Sequence, residues 1–303
     1  MSDKTYEVII IGAGMAGITA SIYASRKKMD FLLLSKDTGG QLSVSGMIEN
    51  YPGFKQIDSP ELTKNLKEQM EHNNISVTDA AVSGIDKEGK IAVVHTDWGD
   101  YRAESVIIAT GSKPRKLGIP GEEKFARKGL SYCAICDGPL FSGRKVAVVG
   151  GGNSALEAIE FLERIASKIY VLNIGEKLTG HEVLVEKAGR NEKVELINNA
   201  RATEVFGDKF VSGIGYEKDG GTKQLDVEGI FVQIGRLPNT GFVRGFVELD
   251  SHNHIKVSAR GETSVKCIYA AGDVTDIHEY QYCIAAGQGC IALLSAAKKL
   301  HEN

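Results

Sequence analysis

The sequence predicts an α/β protein with two doubly wound, Rossmann-like parallel sheets in one chain of 303 residues. Three observations carry this. A β-branched run leading into a GxGxxG spacing opens the chain at residues 8–17. A near copy follows at residues 146–155. The length suits about two domains. Apolar residues are 42% and charged residues 25%, ordinary for a globular chain with sizeable cores. A net charge of −3 argues against nucleic acid or an anionic membrane surface as partner.

In the first unit, Val8–Ile11 reads as a strand, Gly12, Gly14 and Gly17 as the turn, the stretch after them as a helix, and Phe31–Leu34 as the next strand. The first glycine permits the tight turn, the second lets backbone approach a pyrophosphate, and the third lets helix pack on strand. The pyrophosphate then sits on the helix N-terminus, where N–H groups and the dipole favour negative charge. Ser35 stands where an acidic residue is expected at the end of the second strand, so ribose contacts must come from elsewhere.

The second unit has Val146–Val149 as strand, Gly150, Gly152 and Ala155 at the three key positions, and Ile169–Leu172 as the following strand. Gly152, Asn153 and Ser154 are its candidate phosphate contacts. Two dinucleotide cradles in one chain suggest one flavin and one nicotinamide nucleotide. Late in the chain, Thr263–Asp276 reads as a strand ending in Ala-Gly-Asp, with a helix over Cys283–Lys299. Asp273 suits either a ribityl or phosphate-water contact or a helix cap.

The apolar runs are too short for a membrane-spanning helix. The opening residues pass into a strand without a basic leader, so the cytoplasm is the expected compartment, where structural disulfides are rare. Cys267, Cys283 and Cys290 read as small buried hydrophobes. Only Cys133 and Cys136 have motif spacing, with Asp137 directly after. A zinc site would need two further ligands at recognisable spacing, and none is seen, so no metal is expected.

Several motifs occur in order: GAGMAG, GGQL (Gly39–Leu42), ENYPGF (Glu49–Phe54), ATGS (Ala109–Ser112), CAICDG, GGGNSA and AAGDV (Ala270–Val274). Together they make the chain resemble the low-molecular-weight thioredoxin reductases over essentially its full length. The resemblance implies an FAD domain of residues 1–113 and 244–303. A nicotinamide-type domain, 114–243, is inserted in it and carries the redox disulfide. The linkers would be Ser112–Lys116 and Pro238–Phe242. It also implies a homodimer, and FAD contacts at Gly12, Gly14, Gly17, Gly40, Gln41, Asn50, Asp273 and Gln281. Tyr280 replaces the arginine usual before that glutamine.

By the same resemblance, Cys136 faces the flavin, Cys133 attacks the partner disulfide, and Asp137 donates and accepts the proton. A helix start under the pair would lower a thiol pKa, and Asp137 could alternatively serve as a dipole partner there. The expected activity is a thioredoxin-disulfide reductase. Electrons pass from a donor through FAD and Cys133–Cys136 to thioredoxin or a thioredoxin-like protein. An inserted domain that rotates on short Pro/Gly linkers would alternate the flavin-facing and partner-facing states.

The donor rests on residues 173–179. Members that use NADPH carry an arginine cluster there, whereas this chain reads Asn173, Ile174, Gly175, Glu176, Lys177, Leu178, Thr179. A 2′-phosphate needs cationic partners, so NADPH preference is not expected. NADH fits the cradle, although Asn173 replaces the acid often found for the ribose diol. The local text resembles the flavoprotein component of alkyl hydroperoxide reductase, which uses NADH. The segment Glu279–Tyr282 resembles reductases that take electrons from ferredoxin. Alternatives are therefore a flavoprotein reductant of a peroxiredoxin, or a low-turnover flavin redox sensor.

Overall fold

The computed structural model describes residues 4–44, 47–277 and 279–301. The opening residues 1–3, part of the stretch read for a leader, lie outside them. The chain divides into two compact units: 1–113 with 237–303, and 114–236.

In the first unit, β1 (Thr5–Ala13), α1 (Met15–Arg26) and β2 (Phe31–Thr38) form the expected β-α-β unit. The sheet continues with β3 (Val77–Thr78), β4 (Val82–Glu88), β5 (Ile91–Thr96) and β6 (Gly99–Ile108), in spatial order β3-β2-β1-β6-β5-β4. Pairing is parallel from β3 to β6 and antiparallel through the β4–β5–β6 meander. The unbroken apolar run of β1 follows from burial on both faces. Val8 and Ile10 enter one core cluster with α1 residues, while Ile9 and Ile11 enter a second on the opposite face. α2 (Ser59–His72) packs in the first cluster through Leu62, Leu66 and Met70.

β2 runs on to Thr38, so Ser35 lies inside the strand rather than at its end. The next residue, Lys36, is drawn outward by Asp97 at 2.7 Å and Asp79 at 3.2 Å.

The second unit holds a five-stranded parallel sheet: β7 (Leu130–Ser131), β8 (Lys145–Val149), β9 (Lys168–Leu172), β10 (Val194–Ile197) and β14 (Gly229–Val232), ordered β7-β14-β8-β9-β10. Val146 and Val148 face one core cluster, Ala147 and Val149 the other. An antiparallel ribbon of β11 (Arg201–Gly207), β12 (Val211–Lys218) and β13 (Gly221–Asp226) accompanies it.

The chain returns to the first unit between Arg236 and Leu237, ahead of the 243/244 boundary read from the sequence. Asn239 is already bonded into the first unit: its side-chain N–H donates to the Thr110 carbonyl at 2.8 Å, and the Thr110 hydroxyl donates to the Asn239 carbonyl at 2.9 Å. Phe242 and Val243 pack in that unit's core. The chain closes with β15 (Ile268–Ala270), parallel to β6, and the helix Tyr282–His301, packed against α1.

Candidate active site

Among the described residues, the helices that follow the two glycine turns lack the side-chain cap that another helix has. α2 begins at Asp58, whose carboxylate accepts from the Glu61 N–H at 2.7 Å. α1 begins at Gly14 and the helix Asn153–Leu162 at Gly152. Neither has a side-chain cap or an acidic residue in its first turn. Unclaimed N–H groups at the positive end of a helix suit an anion.

The glycine geometry agrees. A Cβ on Gly17 would stand 1.7 Å from the Gly12 carbonyl oxygen, so only glycine lets α1 approach β1 this closely. A Cβ on Gly14 would meet nothing within 4 Å, so this face of the turn is open. Gly40 lies against it, its Cβ position 3.3 Å from Gly14 Cα. Residues distant in sequence converge in the same unit: the Asn50 amide donates to Gln281 Oε1 at 3.2 Å. The Ser112 hydroxyl meets Asp273 Oδ2 at 3.4 Å. Asp273 does not cap the last helix, which begins only at Tyr282. An open turn, an uncapped helix and these polar groups fit a dinucleotide such as FAD. Tyr280, in the place of the arginine, meets His254 Nε2 through its hydroxyl at 3.0 Å.

The second cradle is built alike, with Gly150 at φ 145°, and a Cβ on Gly152 would come no nearer than 4.0 Å to Thr179 Oγ1. The residues after β9 are folded onto it. The Thr179 N–H donates to the Gly151 carbonyl at 2.7 Å, and the His181 N–H to Asn153 Oδ1 at 2.8 Å. Ser154 is exposed. Asn173 is 5% exposed, and its amide is engaged locally. It donates to the Gly175 carbonyl (3.1 Å) and to Asn198 Oδ1 (2.9 Å), and accepts from the Gly175 N–H (3.2 Å). Ile174 is exposed beside it.

Cys133 and Cys136 form a disulfide, S–S 2.11 Å and Cα–Cα 5.3 Å. Cys133 is the N-cap of a single helical turn, Ala134–Asp137, that contains Cys136, and the Cys133 sulfur accepts the Cys136 N–H at 3.2 Å. Asp137 is the last residue of that four-residue turn and also the acidic residue of the helix's first turn. Its carboxylate accepts from the Ser131 hydroxyl at 2.5 Å. Burial pushes the Asp137 carboxyl above the usual carboxylate range, and the Ser131 bond opposes that shift.

Two features here escaped the sequence reading. Ser131 is buried and also accepts the Cys133 N–H at 3.0 Å. Glu122, 2% exposed, accepts from Leu117 N–H (2.8 Å), Gly118 N–H (2.7 Å) and the Tyr132 hydroxyl (2.8 Å). The only hint of the first was its place two residues before the CxxC pair. The other three cysteines correct an expectation, since none is buried. Cys283 is exposed with its sulfur toward the Asn50 carbonyl at 3.6 Å, and Cys267 takes a left-handed φ of 65° in the turn before β15. No cluster of metal ligands occurs among the described residues. No helix among them is long and apolar enough to cross a membrane.

Two glycine cradles on parallel sheets, with a CxxC disulfide preceding the second, define a flavin- and nicotinamide-linked disulfide oxidoreductase. The chain belongs to the pyridine nucleotide-disulphide oxidoreductase family, whose model matches residues 6–297. It is 38% identical over 308 residues to a thioredoxin reductase of Mycolicibacterium smegmatis, covering 100% of this chain and 99% of that one. It is also 38% identical over 299 residues to an alkyl hydroperoxide reductase component of Pseudomonas aeruginosa, covering 96% of this chain and 57% of that one. Among solved structures, thioredoxin reductase from Streptococcus pyogenes matches with TM-score 0.93, 36% identity and full coverage of both chains.

Proposed function

We propose that this chain is an FAD-dependent thioredoxin-disulfide reductase, working as a cytoplasmic homodimer. The observation that carries the reading is the Cys133–Cys136 disulfide on one helical turn with the half-buried Asp137 carboxyl after it. FAD held in the first unit would supply two-electron transfer from the donor to this disulfide. The unit with Gly12, Gly14, Gly17, Gly40, Gln41, Asn50, Asp273 and Gln281 holds FAD. The unit 114–236 holds the disulfide and, at Gly150, Gly152, Asn153 and Ser154, a nicotinamide nucleotide.

The chain's own residues then do the following. The disulfide gains two electrons, and Asp137 gives its proton to the Cys136 sulfur and becomes a carboxylate, leaving Cys133 as the thiolate. Cys133 attacks a sulfur of the partner disulfide, forming a mixed disulfide and expelling a partner thiolate. Asp137 takes the proton back from Cys136, whose thiolate attacks the Cys133 sulfur, re-forms Cys133–Cys136 and expels the second partner thiolate. The two partner thiolates take protons from solvent, so the partner leaves as a dithiol and Asp137 is again protonated.

NADH is the better donor for this cradle. Asn173 has its amide spent on Gly175 and Asn198, and position 174 is an exposed isoleucine. Lys177 is the cation in the segment, and Glu176 beside it repels a 2′-phosphate. Anaerobic stopped flow tests this, mixing the FAD-loaded protein with NADH, NADPH or reduced ferredoxin and then oxidised thioredoxin. Bleaching by NADH with onward transfer is the expected result. Rapid bleaching by NADPH overturns the donor argument, and bleaching by ferredoxin alone makes the second cradle a structural remnant. A Cys136→Ser variant that still reduces thioredoxin overturns the disulfide mechanism. A second reading, a reductant of a peroxiredoxin disulfide, is supported by the match to the alkyl hydroperoxide reductase component. It requires faster turnover with a peroxiredoxin than with thioredoxin.

A further inference from the structure

Ser131 sits at the junction of the redox turn and the sheet. Its side chain touches three groups of that turn. It lies 2.5 Å from Asp137 Oδ2, 3.0 Å from the Cys133 nitrogen and 3.2 Å from the Cys133 carbonyl oxygen. The residue is 6% exposed, so water does not readily substitute for these bonds.

A hydroxyl has one proton to donate and two lone pairs to accept with. Counting them gives two complete arrangements. With Asp137 ionised, Ser131 donates to the carboxylate and accepts the Cys133 N–H. With Asp137 protonated, the carboxylic O–H donates to Ser131 instead. The hydroxyl proton must then turn away, and the Cys133 carbonyl at 3.2 Å receives it. In both arrangements the Ser131 hydroxyl, the Cys133 N–H and Asp137 Oδ2 keep a partner. A buried group that loses its partner carries a desolvation penalty, so a carboxyl that cycles its proton here needs a neighbour able to reverse roles. Serine does so; alanine cannot.

We propose that the Ser131 hydroxyl is a two-position rotor and a positioning residue, serving each protonation state of Asp137 in turn and holding the Cys133 end of the redox turn throughout. The inference rests on the acid–base role given to Asp137 above. The pair's own sulfurs lie on the same turn as Asp137; burial and the Ser131 bond are what act on its carboxyl, and among the described residues no charged side chain contributes. The helix Asn153–Leu162 presents Phe161 and Leu162 to Gly138, the residue after Asp137, so it brings apolar groups to this turn.

The test uses the FAD-loaded protein, reduced anaerobically with dithionite and mixed with the aromatic disulfide dithiobis-nitrobenzoate across a pH series. The wild type is expected to show a rate limb that Asp137→Asn removes. Ser131→Ala deprives the carboxylate of its charge-assisted donor. That limb should move up by about one pH unit. Ser131→Thr keeps the hydroxyl and should keep the wild-type limb. Ser131→Val has the shape of threonine without the hydroxyl and repeats the comparison should the alanine variant fail to fold. An unmoved limb in the alanine and valine variants, with the limb still lost in Asp137→Asn, overturns the rotor alone. A limb that survives Asp137→Asn overturns the acid–base role of Asp137, and the rotor with it.

Discussion

The two glycines of the first cradle separate packing from binding, and a pair of alanine substitutions reads each. In Gly17→Ala the new Cβ falls 1.7 Å from the Gly12 carbonyl oxygen and 2.9 Å from its carbon. An ordinary carbon–oxygen contact is about 3.3 Å, so α1 must retreat from β1 by about 1.5 Å. Both elements lie in the core, with Ile18 1% exposed and Ile10 0% exposed. Overpacking of this kind costs about 1–3 kcal/mol, which for a unit of this size lowers the melting temperature by roughly 3–10 °C. In Gly14→Ala the Cβ meets no protein atom within 4 Å, and the backbone there is extended (φ −81°, ψ −172°). The flavin-free protein should therefore melt within about 0.5 kcal/mol of wild type. The same methyl stands where the pyrophosphate is to pass, so flavin should bind at least about tenfold more weakly, a loss of about 1.4 kcal/mol. The assay is thermal unfolding of flavin-free protein, followed by titration with FAD. A Gly14→Ala variant that binds FAD like wild type would show that the pyrophosphate does not cross this turn. A Gly17→Ala variant with unchanged melting would refute the close-approach argument.

The remaining predictions concern charge. His95 is gripped by Asp100 at 2.8 Å and Asp86 at 2.9 Å on the meander, and the Asp100 bond, then the Asp86 bond, raise its pKa. The folded state thus favours the protonated ring. The stabilisation is full below the unfolded value near 6.5 and is lost as pH rises through the folded value. The pair is solvent-screened, so denaturant titrations of wild type and His95→Gln should differ by under about 1 kcal/mol, and only on the acid side. Glu122→Ala leaves the Leu117 and Gly118 N–H groups and the Tyr132 hydroxyl without their acceptor, and should cost about 2–4 kcal/mol in a denaturant midpoint experiment. A cost below about 0.5 kcal/mol, the usual surface value, would mean that water replaces the carboxylate. Ile174→Arg, at a position 66% exposed, should leave stability unchanged and lower the KM for NADPH by about tenfold, with little change for NADH. An equal change for both nucleotides would place the adenosine end elsewhere.

Much of this architecture was legible because it is written locally. Val8–Ile11 and Val146–Val149 are short apolar, mostly β-branched runs between a charged residue and a glycine, and runs of that kind are stable only with both faces covered. The glycine spacing placed both turns for the same reason: the constraint on each glycine comes from atoms a few residues away or on the adjoining strand. Ser35 was misplaced because a strand's end is decided by its partner. β2 stays paired with β1 as far as Thr38, four residues beyond Leu34, the last apolar residue of its run. The three lone cysteines were misjudged for a similar reason, since burial of a small side chain depends on neighbours the sequence does not name.

The sequence by itself determined the parallel core of each sheet, the two glycine turns and the cysteine pair, because each is a short-range pattern of backbone freedom, apolar run or sulfur spacing. Only the tertiary structure decided the chemistry around them. It brought Asn50 to Gln281 across 231 positions, engaged the Asn173 amide with Asn198, and buried Glu122 under Tyr132. It also set the Ser131 hydroxyl against Asp137. A hydrogen bond needs two groups within about 3 Å in the right orientation. That condition is met by the packing of whole elements, which no single stretch of residues specifies.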